Sequence, residues 1–176
     1  MEKIYEAAGG LLDEVGHEDM TIRMVAARAG VSPATAYSYF ASKDHLFAEM
    51  FWRLLASKPG NTFVAATPAA RVREAAEGLA RLIADAPALA AAVTKGLLGS
   101  DPEVQRLRLA IGRLWVERFR AAAGDDVGPD VVAALVYAFT GVLLQAGMRI
   151  ISYEQLPGVV GRVVDVVTHG WLPADG

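Results

Sequence analysis

The chain has 176 residues, a formal net charge of -3, no cysteine, and 53% hydrophobic against 21% charged residues. That length suits one domain, or a small module fused to a medium one. The lack of thiols excludes a disulfide framework, a thiol nucleophile and a zinc site built on thiolates. The most apolar stretch, Val131 to Ala146, is interrupted by Gly141 and Gln145 and followed by Arg149, so no span across a bilayer is expected. The N-terminus carries Glu2 and Glu6 in place of the basic-then-apolar layout of a secretory signal. The expected location is cytoplasmic, with no membrane partner.

Helical periodicity runs through almost the whole chain. Ile4, Ala8, Leu11, Leu12 and Val15 form one stripe of a first helix, and Gly16 stands where a glycine stops one. Thr21 caps a second helix with Ile22, Val25, Ala26 and Ala29 on its buried face, and Gly30 ends it. Ser32-Pro33 opens a short third helix closed by Phe40. Ser42 caps a fourth, with Leu46, Phe47, Met50, Phe51 and Leu54 as its apolar side. Lys58-Pro59-Gly60-Asn61 is the clearest breaker cluster and the linker candidate.

Beyond it, Thr67-Pro68 opens a helix to about Ala84, and Asp85 with Pro87 begins another to about Leu98. Ser100-Asp101-Pro102 begins a long helix reaching Ala123, and Gly124 to Pro129 is a loop containing Asp125-Asp126. A long apolar helix is expected from Pro129 to about Ser152, and a last one from Glu154 to Gly170, broken by Pro157. Val159 to Val167 has strand propensity, but its place after a run of capped helices favours helix. The expected fold is all-α.

The informative segment is Thr21 to Leu46. Two short helices are joined by Ala29-Gly30-Val31-Ser32, where Gly30 can take the positive φ that reverses the chain and small Ala26 lets the helices cross closely. Ala36 and Phe40, four apart, pin the third helix down. Ala34, Thr35, Tyr37, Ser38 and Tyr39 are left outward, a hydroxyl- and aromatic-rich face without an acid. A helix-turn-helix presents such a face to the major groove, where hydroxyls meet base edges or phosphates and a small methyl lies against thymine.

The extended pattern resembles the first domain of the tetracycline-repressor-like (TetR) family of transcriptional regulators. The residues that carry the resemblance are Thr21-Ile22-Arg23, Val25 to Ser32, Thr35 to Phe40 and Ser42-Lys43-Asp44-His45-Leu46, and it covers residues 3 to about 52. It implies that Thr21 caps the second helix and presents a hydroxyl or amide to a phosphate, as helix N-termini do. Ser32, Ala34 and Thr35 would sit at the groove end of the reading helix, Tyr37 and Tyr39 on the backbone, and Lys43 on a phosphate. Two features depart from the family. Only Met1 and Glu2 precede Lys3, where the family carries a basic arm. Residues 1–52 also hold four basic side chains against eight acidic ones, a balance of -4, which predicts weak nonspecific DNA binding and a shallow salt dependence.

The resemblance divides the chain into a DNA-binding domain, residues 1–52, and a helical effector-binding and dimerisation domain, residues 53–176, linked by the fourth helix. In the second part Leu107, Leu109, Ile111, Leu114, Trp115, Val116 and Phe119 nearly encircle one helix, which must then be covered or line a cavity. Leu79, Leu82, Ile83, Val93, Leu97, Ile111, Trp115 and Phe119 are the candidate walls of an effector pocket, a solid core being the alternative. An apolar effector fits: a lipid, a steroid-like molecule, an acyl thioester or a planar aromatic drug. Ala134, Ala138, Gly141, Val142 and Gln145, with Val160, Val164 and Val167, form the candidate homodimer interface of a four-helix bundle, burial in the same chain being the alternative.

No catalytic or metal constellation is present in the sequence. His17, His45 and His169 lie in separate segments and read as surface or boundary residues; there is no Gly-x-Ser-x-Gly elbow and no phosphate loop. The expected function is an effector-responsive repressor, not an enzyme and without a cofactor, released from a double-stranded operator by its ligand. A regulator of opposite sign, and a ligand-binding or scaffold protein that has lost DNA binding, are the alternatives.

Overall fold

The computed structural model describes residues 1–57, 62–125 and 127–169. The expected linker Lys58–Asn61, Asp126 of the loop pair, and Gly170, the expected end of the last helix, with the six residues after it lie outside the described residues. Among those described, the regular structure is helical: α1 (Glu2–Asp19), α2 (Ile22–Ala29), α3 (Pro33–Tyr39), α4 (Lys43–Ala56), α5 (Pro68–Ala84), α6 (Pro87–Gly96), α7 (Pro102–Ala123), α8 (Pro129–Gly147) and α9 (Leu156–Thr168).

The boundaries follow local chemistry. Thr21, Ser32 and Thr67 each accept the amide three residues on, and Pro33 and Pro68 occupy first-turn positions where no amide is needed. Asp101 Oδ1 accepts the amides of Glu103 and Val104 and starts α7. Four boundaries differ from expectation. Gly16 breaks α1 with φ 75° and ψ 169°, but one more turn follows to Asp19. Asp85 ends α5 and does not cap α6. α8 stops at Gly147, because Arg149 has φ 61° and turns the chain. Pro157 lies in the first turn of α9 and opens it, after a 3-10 turn Tyr153–Gln155 capped by Ser152. The valine-rich stretch is helical.

The chain forms two compact units. The first is Met1–Leu54 with Ala86–Leu109; the second is Leu55–Asp85 with the chain from Ala110 onward. Thus α6 and the first turns of α7 belong with α1 to α4, whereas the sequence groups them with everything after residue 52. Side chains account for this. Leu97 and Trp52 pack on Ala48, Val104 and Leu107. The Ser42 hydroxyl donates to Asp101 Oδ2 at 2.8 Å and itself accepts the His45 amide, so the caps of α4 and α7 share a hydrogen bond.

In the second unit α5 and α8 pack on α9. Gly161 permits the α5 approach, since a Cβ there would lie 2.5 Å from Glu77 Oε1. The core includes Val72, Leu79, Ile83, Phe119, Leu135, Leu156, Val160 and Val164. α8 is, by length and composition, apolar enough to cross a membrane, which corrects the expectation that Gly141 and Gln145 forbid it; only 28% of its most apolar window is buried within the chain. Val132, Leu135, Phe139, Val142 and Ala146 face inward, and an apolar outer face remains.

Candidate nucleic-acid interface and effector cavity

The reading head is built by α2, a tight turn and α3. Gly30 sits at φ 69° and ψ 30°, the left-handed region open to glycine, and the Val31 amide bonds to Ala26 O at 3.0 Å to complete the reversal. On α3, Ala36 is fully buried and Phe40 is 1% exposed. The Phe40 ring meets Tyr5 and His45 edge-on, each at 5.7 Å between ring centres. Pinning that side turns Ser32, Ala34, Thr35, Tyr37, Ser38 and Tyr39 outward, and all six are exposed, the two tyrosines to 47% and 50%. The hydroxyls are ordered among themselves: Ser32 Oγ and Thr35 Oγ1 lie 2.8 Å apart, and Ser38 Oγ donates to Thr35 O.

Charge is distributed more favourably than the total suggests. No acid stands between Met20 and Lys43, a stretch that carries Arg23, Arg28 and Lys43; the acids of residues 1–52 lie in α1 and α4. Two of those three cations are engaged. Arg28 forks onto Glu14, which holds that carboxyl below its ordinary pKa. Lys43 Nζ donates to His17 O, Glu18 O and Met20 O at 2.8, 2.9 and 3.4 Å, so it closes the end of α1, where carbonyls favour a cation. The phosphate role expected of Lys43 competes with this one. Arg23, absent from the expected contacts, is exposed and makes no ion pair among the described residues, two positions from exposed Thr21. The motif Thr-Ile-Arg held that signal, but only the neighbours of Arg28 and Lys43 reveal which cation is unengaged.

His45 is buried, not at the surface or boundary. Its Nδ1 accepts the Ala41 amide at 3.3 Å, which replaces the water it would otherwise need. Among the described residues no group of three side chains could hold a metal.

The Ser42–Asp101 bond makes the head sensitive to acid. Donation by the Ser42 hydroxyl, then by the Glu103 and Val104 amides, holds the Asp101 carboxyl below its ordinary pKa. A folded value below the unfolded one stabilises above the ordinary aspartate range, about 3.9, and that contribution disappears as pH falls through the folded value. Asp101→Ala should therefore melt lower than wild type at pH 7, with the gap closing toward pH 3 in circular-dichroism melts. A gap independent of pH would contradict this role.

In the second unit a cavity of about 390 Å³ is lined by residues that include Leu79, Leu82, Phe63, Glu74, Arg81, Asp85 and Arg118. Two of the eight expected pocket residues line it, and its wall is more charged than expected. The Glu74 carboxylate accepts the Val64 and Ala65 amides, and Arg118 donates to Leu55 O at 2.8 Å, with burial lowering its pKa. Ile83, Ile111, Trp115 and Phe119 are buried in this unit, where Trp115 and Phe119 both stack edge-on against Phe139. Val93 and Leu97, with α6, belong to the first unit.

Of the expected interface residues, Ala134, Gly141 and Gln145 are exposed, and Ala138 and Val167 half-buried. Val142, Val160 and Val164 are buried inside the chain, because they lie on the faces that α8 and α9 turn toward each other. Met148, which continues the expected Ala134–Gly141–Gln145 stripe, is exposed, as are Tyr137 (75%) on the same stripe and Val166 (77%), neither of which is among the expected residues.

Residues 4–50 match the family model for bacterial regulatory proteins of the tetR family. An uncharacterized HTH-type transcriptional regulator of Mycobacterium tuberculosis is 41% identical over 170 residues, which is 96% of this chain and 80% of that protein. A TetR transcriptional regulator from Rhodococcus sp. RHA1 is similar with a TM-score of 0.76 at 22% identity, over 95% of this chain and 93% of that one. Thermus thermophilus FadR, a TetR-family transcriptional repressor solved in complex with lauroyl-CoA, has a TM-score of 0.70 at 19% identity, over 99% and 96% of the two chains. The outward, acid-free reading helix and a relative matched along nearly the whole chain agree: this protein belongs to the tetR family of bacterial regulatory proteins, and is a helix-turn-helix transcriptional regulator, not an enzyme.

Proposed function

We propose that the protein is a cytoplasmic homodimeric repressor that binds a pseudo-palindromic operator through α3 and leaves it when a small molecule binds the second unit. The observation that carries the DNA reading is the exposure of Thr35, Tyr37, Ser38 and Tyr39 opposite fully buried Ala36 and Phe40. The alternative in which DNA binding has been lost draws on the acidic balance of residues 1–52 and on the missing basic arm; against the first, the acids lie in α1 and α4 and none between Met20 and Lys43. The contacts we assign are Thr21, Ser32, Ala34, Thr35, Tyr37, Ser38 and Tyr39, with Arg23 added.

The exposed stripe Ala134, Tyr137, Gly141 and Gln145 on α8, with Met148 at its C-cap and Val166 of α9, is the surface for a second copy. Joining two heads sets half-sites about one DNA turn apart or a multiple of it, roughly 34–36 Å per turn. The effector has an apolar body and a polar end. The mixed cavity wall supports this, as does the lauroyl-CoA held by the Thermus repressor. To release the operator decisively, it must prefer the non-binding arrangement by about 5 kcal/mol.

The test is a fluorescence-polarisation titration on the promoter beside the protein's own gene. Tyr37→Ala should weaken binding about tenfold or more, as expected for a lost backbone contact, while melting stays unchanged, because the ring is half exposed. Wild-type affinity in the variant would refute the contact.

A further inference from the structure

We propose that the head carries a ligand site of its own beside the reading helix, and that it takes an aromatic molecule bearing an ammonium group and a carbonyl acceptor. The site shares no residue with the second-unit cavity, so it does not depend on the effector reading above.

A cavity of about 460 Å³ opens in the first unit among α1, α3, α4 and the first turns of α7, within the size range of small-molecule sites. Its lining includes Tyr5, Tyr37, Tyr39, His45 and Glu49. His45 is the buried polar member, 8% exposed. Its Nδ1 accepts the Ala41 amide, and a backbone N–H can only donate, so the imidazole proton sits on Nε2. Nε2 makes no hydrogen bond among the described residues. It is not sealed either, since among those residues only Trp115 Nε1 is both unpartnered and closed off. A donor on a buried ring therefore opens on the cavity and lacks an acceptor.

Glu49 stands one turn further along the same face of α4. It is half-buried and makes no ion pair among the described residues. The neighbouring cations are taken: Arg53, one turn on, by Glu2 at 2.8 Å, and Arg106, on the cavity wall, by Glu103 at 3.1 Å. A carboxylate without a counter-ion calls for a cation, aromatic walls favour one carried on an aromatic body, and the fixed N–H calls for an acceptor. The Tyr5 ring already has one cation over it, Arg53 at 4.1 Å. A DNA phosphate would meet Glu49 and Glu103, so the operator itself is not the occupant. Tyr37, Ser38 and Tyr39 also line the cavity, and they are among the operator contacts assigned above, so an occupant competes with DNA for them. The competition rests on that assignment; the binding does not.

Three small molecules test this. N-(aminoethyl)benzamide carries the ring, the carbonyl and the ammonium group. Phenylbutylamine has two methylenes in place of the amide, and N-benzoyl-β-alanine has a carboxylate in place of the ammonium. In calorimetric titrations the benzamide should bind wild type at least about tenfold more tightly than the carboxylate, the scale of one hydrogen bond to a charged group. Glu49→Gln should erase that preference. The ¹⁵N resonance of His45 Nε2, assigned by exclusion with His17→Asn and His169→Asn, should move with the benzamide and stay in place with phenylbutylamine. That measurement needs no variant at His45, so it stands whether or not the head tolerates one. An unmoved resonance with the benzamide bound, a preference kept in Glu49→Gln, or no binding of the benzamide to wild type overturns the proposal. In a polarisation titration the benzamide should weaken operator binding by wild type and leave that of Glu49→Gln unshifted. Benzamide binding with no effect on the operator would support the site and overturn the competition alone.

Discussion

Phe40→Ala is expected to cost the head about 3–5 kcal/mol and to abolish operator binding, the range for emptying a well-packed phenylalanine site. The residue is 1% exposed and touches three elements at once: Tyr5 of α1, Tyr39 of α3 and His45 of α4. Its amide closes α3 onto Ala36 O. α3 has only seven residues, too short to persist without tertiary packing. Removing the ring therefore takes away the surface against which the reading face is oriented. Chemical denaturation should show the loss in stability, and a polarisation titration should show no specific binding at concentrations that saturate wild type. The contrast with Tyr37→Ala is the informative part. One variant loses binding because the head is no longer built; the other loses it with the head intact. If Phe40→Ala unfolded at the wild-type midpoint, the pinned-helix account would fail.

That contrast follows a line between what the sequence discloses and what it withholds. Helix starts are local: a hydroxyl at Thr21, Ser32 or Thr67 needs only the amide three residues on, and a proline in the first turn needs no partner. The inward and outward sides of α3 are local too, because Ala36 and Phe40 stand one turn apart. The grouping of α6 with the head is not, since it depends on Leu97 meeting Val104, Leu107 and Ala48, and on Ser42 meeting a carboxylate 59 residues away. Apolar residues are ambiguous for a different reason. Leu79, Ile83 and Val164 would show the same helical spacing whether they filled a core, walled a pocket or faced a second copy. The spacing fixes only which side of the helix avoids water.

Cations show the same limit most sharply, and Arg23→Ala turns it into a measurement. In residues 1–52 Arg28 is held by Glu14 and Lys43 by three carbonyls, leaving Lys3 and Arg23 exposed without an ion pair among the described residues. In the proposed dimer, two heads would offer at most four such cations to an operator, and each neutralised phosphate adds about 0.9 to the slope of log affinity against log salt. Wild-type affinity should therefore fall about a hundredfold between 50 and 200 mM salt, and that of Arg23→Ala only about tenfold, from a starting value at 50 mM at least tenfold weaker. Lys43→Ala should do the reverse. Losing the close of α1 lowers the melting temperature, while the salt slope stays near that of wild type. Equal slopes for wild type and Arg23→Ala, or a slope that drops in Lys43→Ala, would mean that Lys43 leaves its carbonyls for the phosphates when DNA arrives.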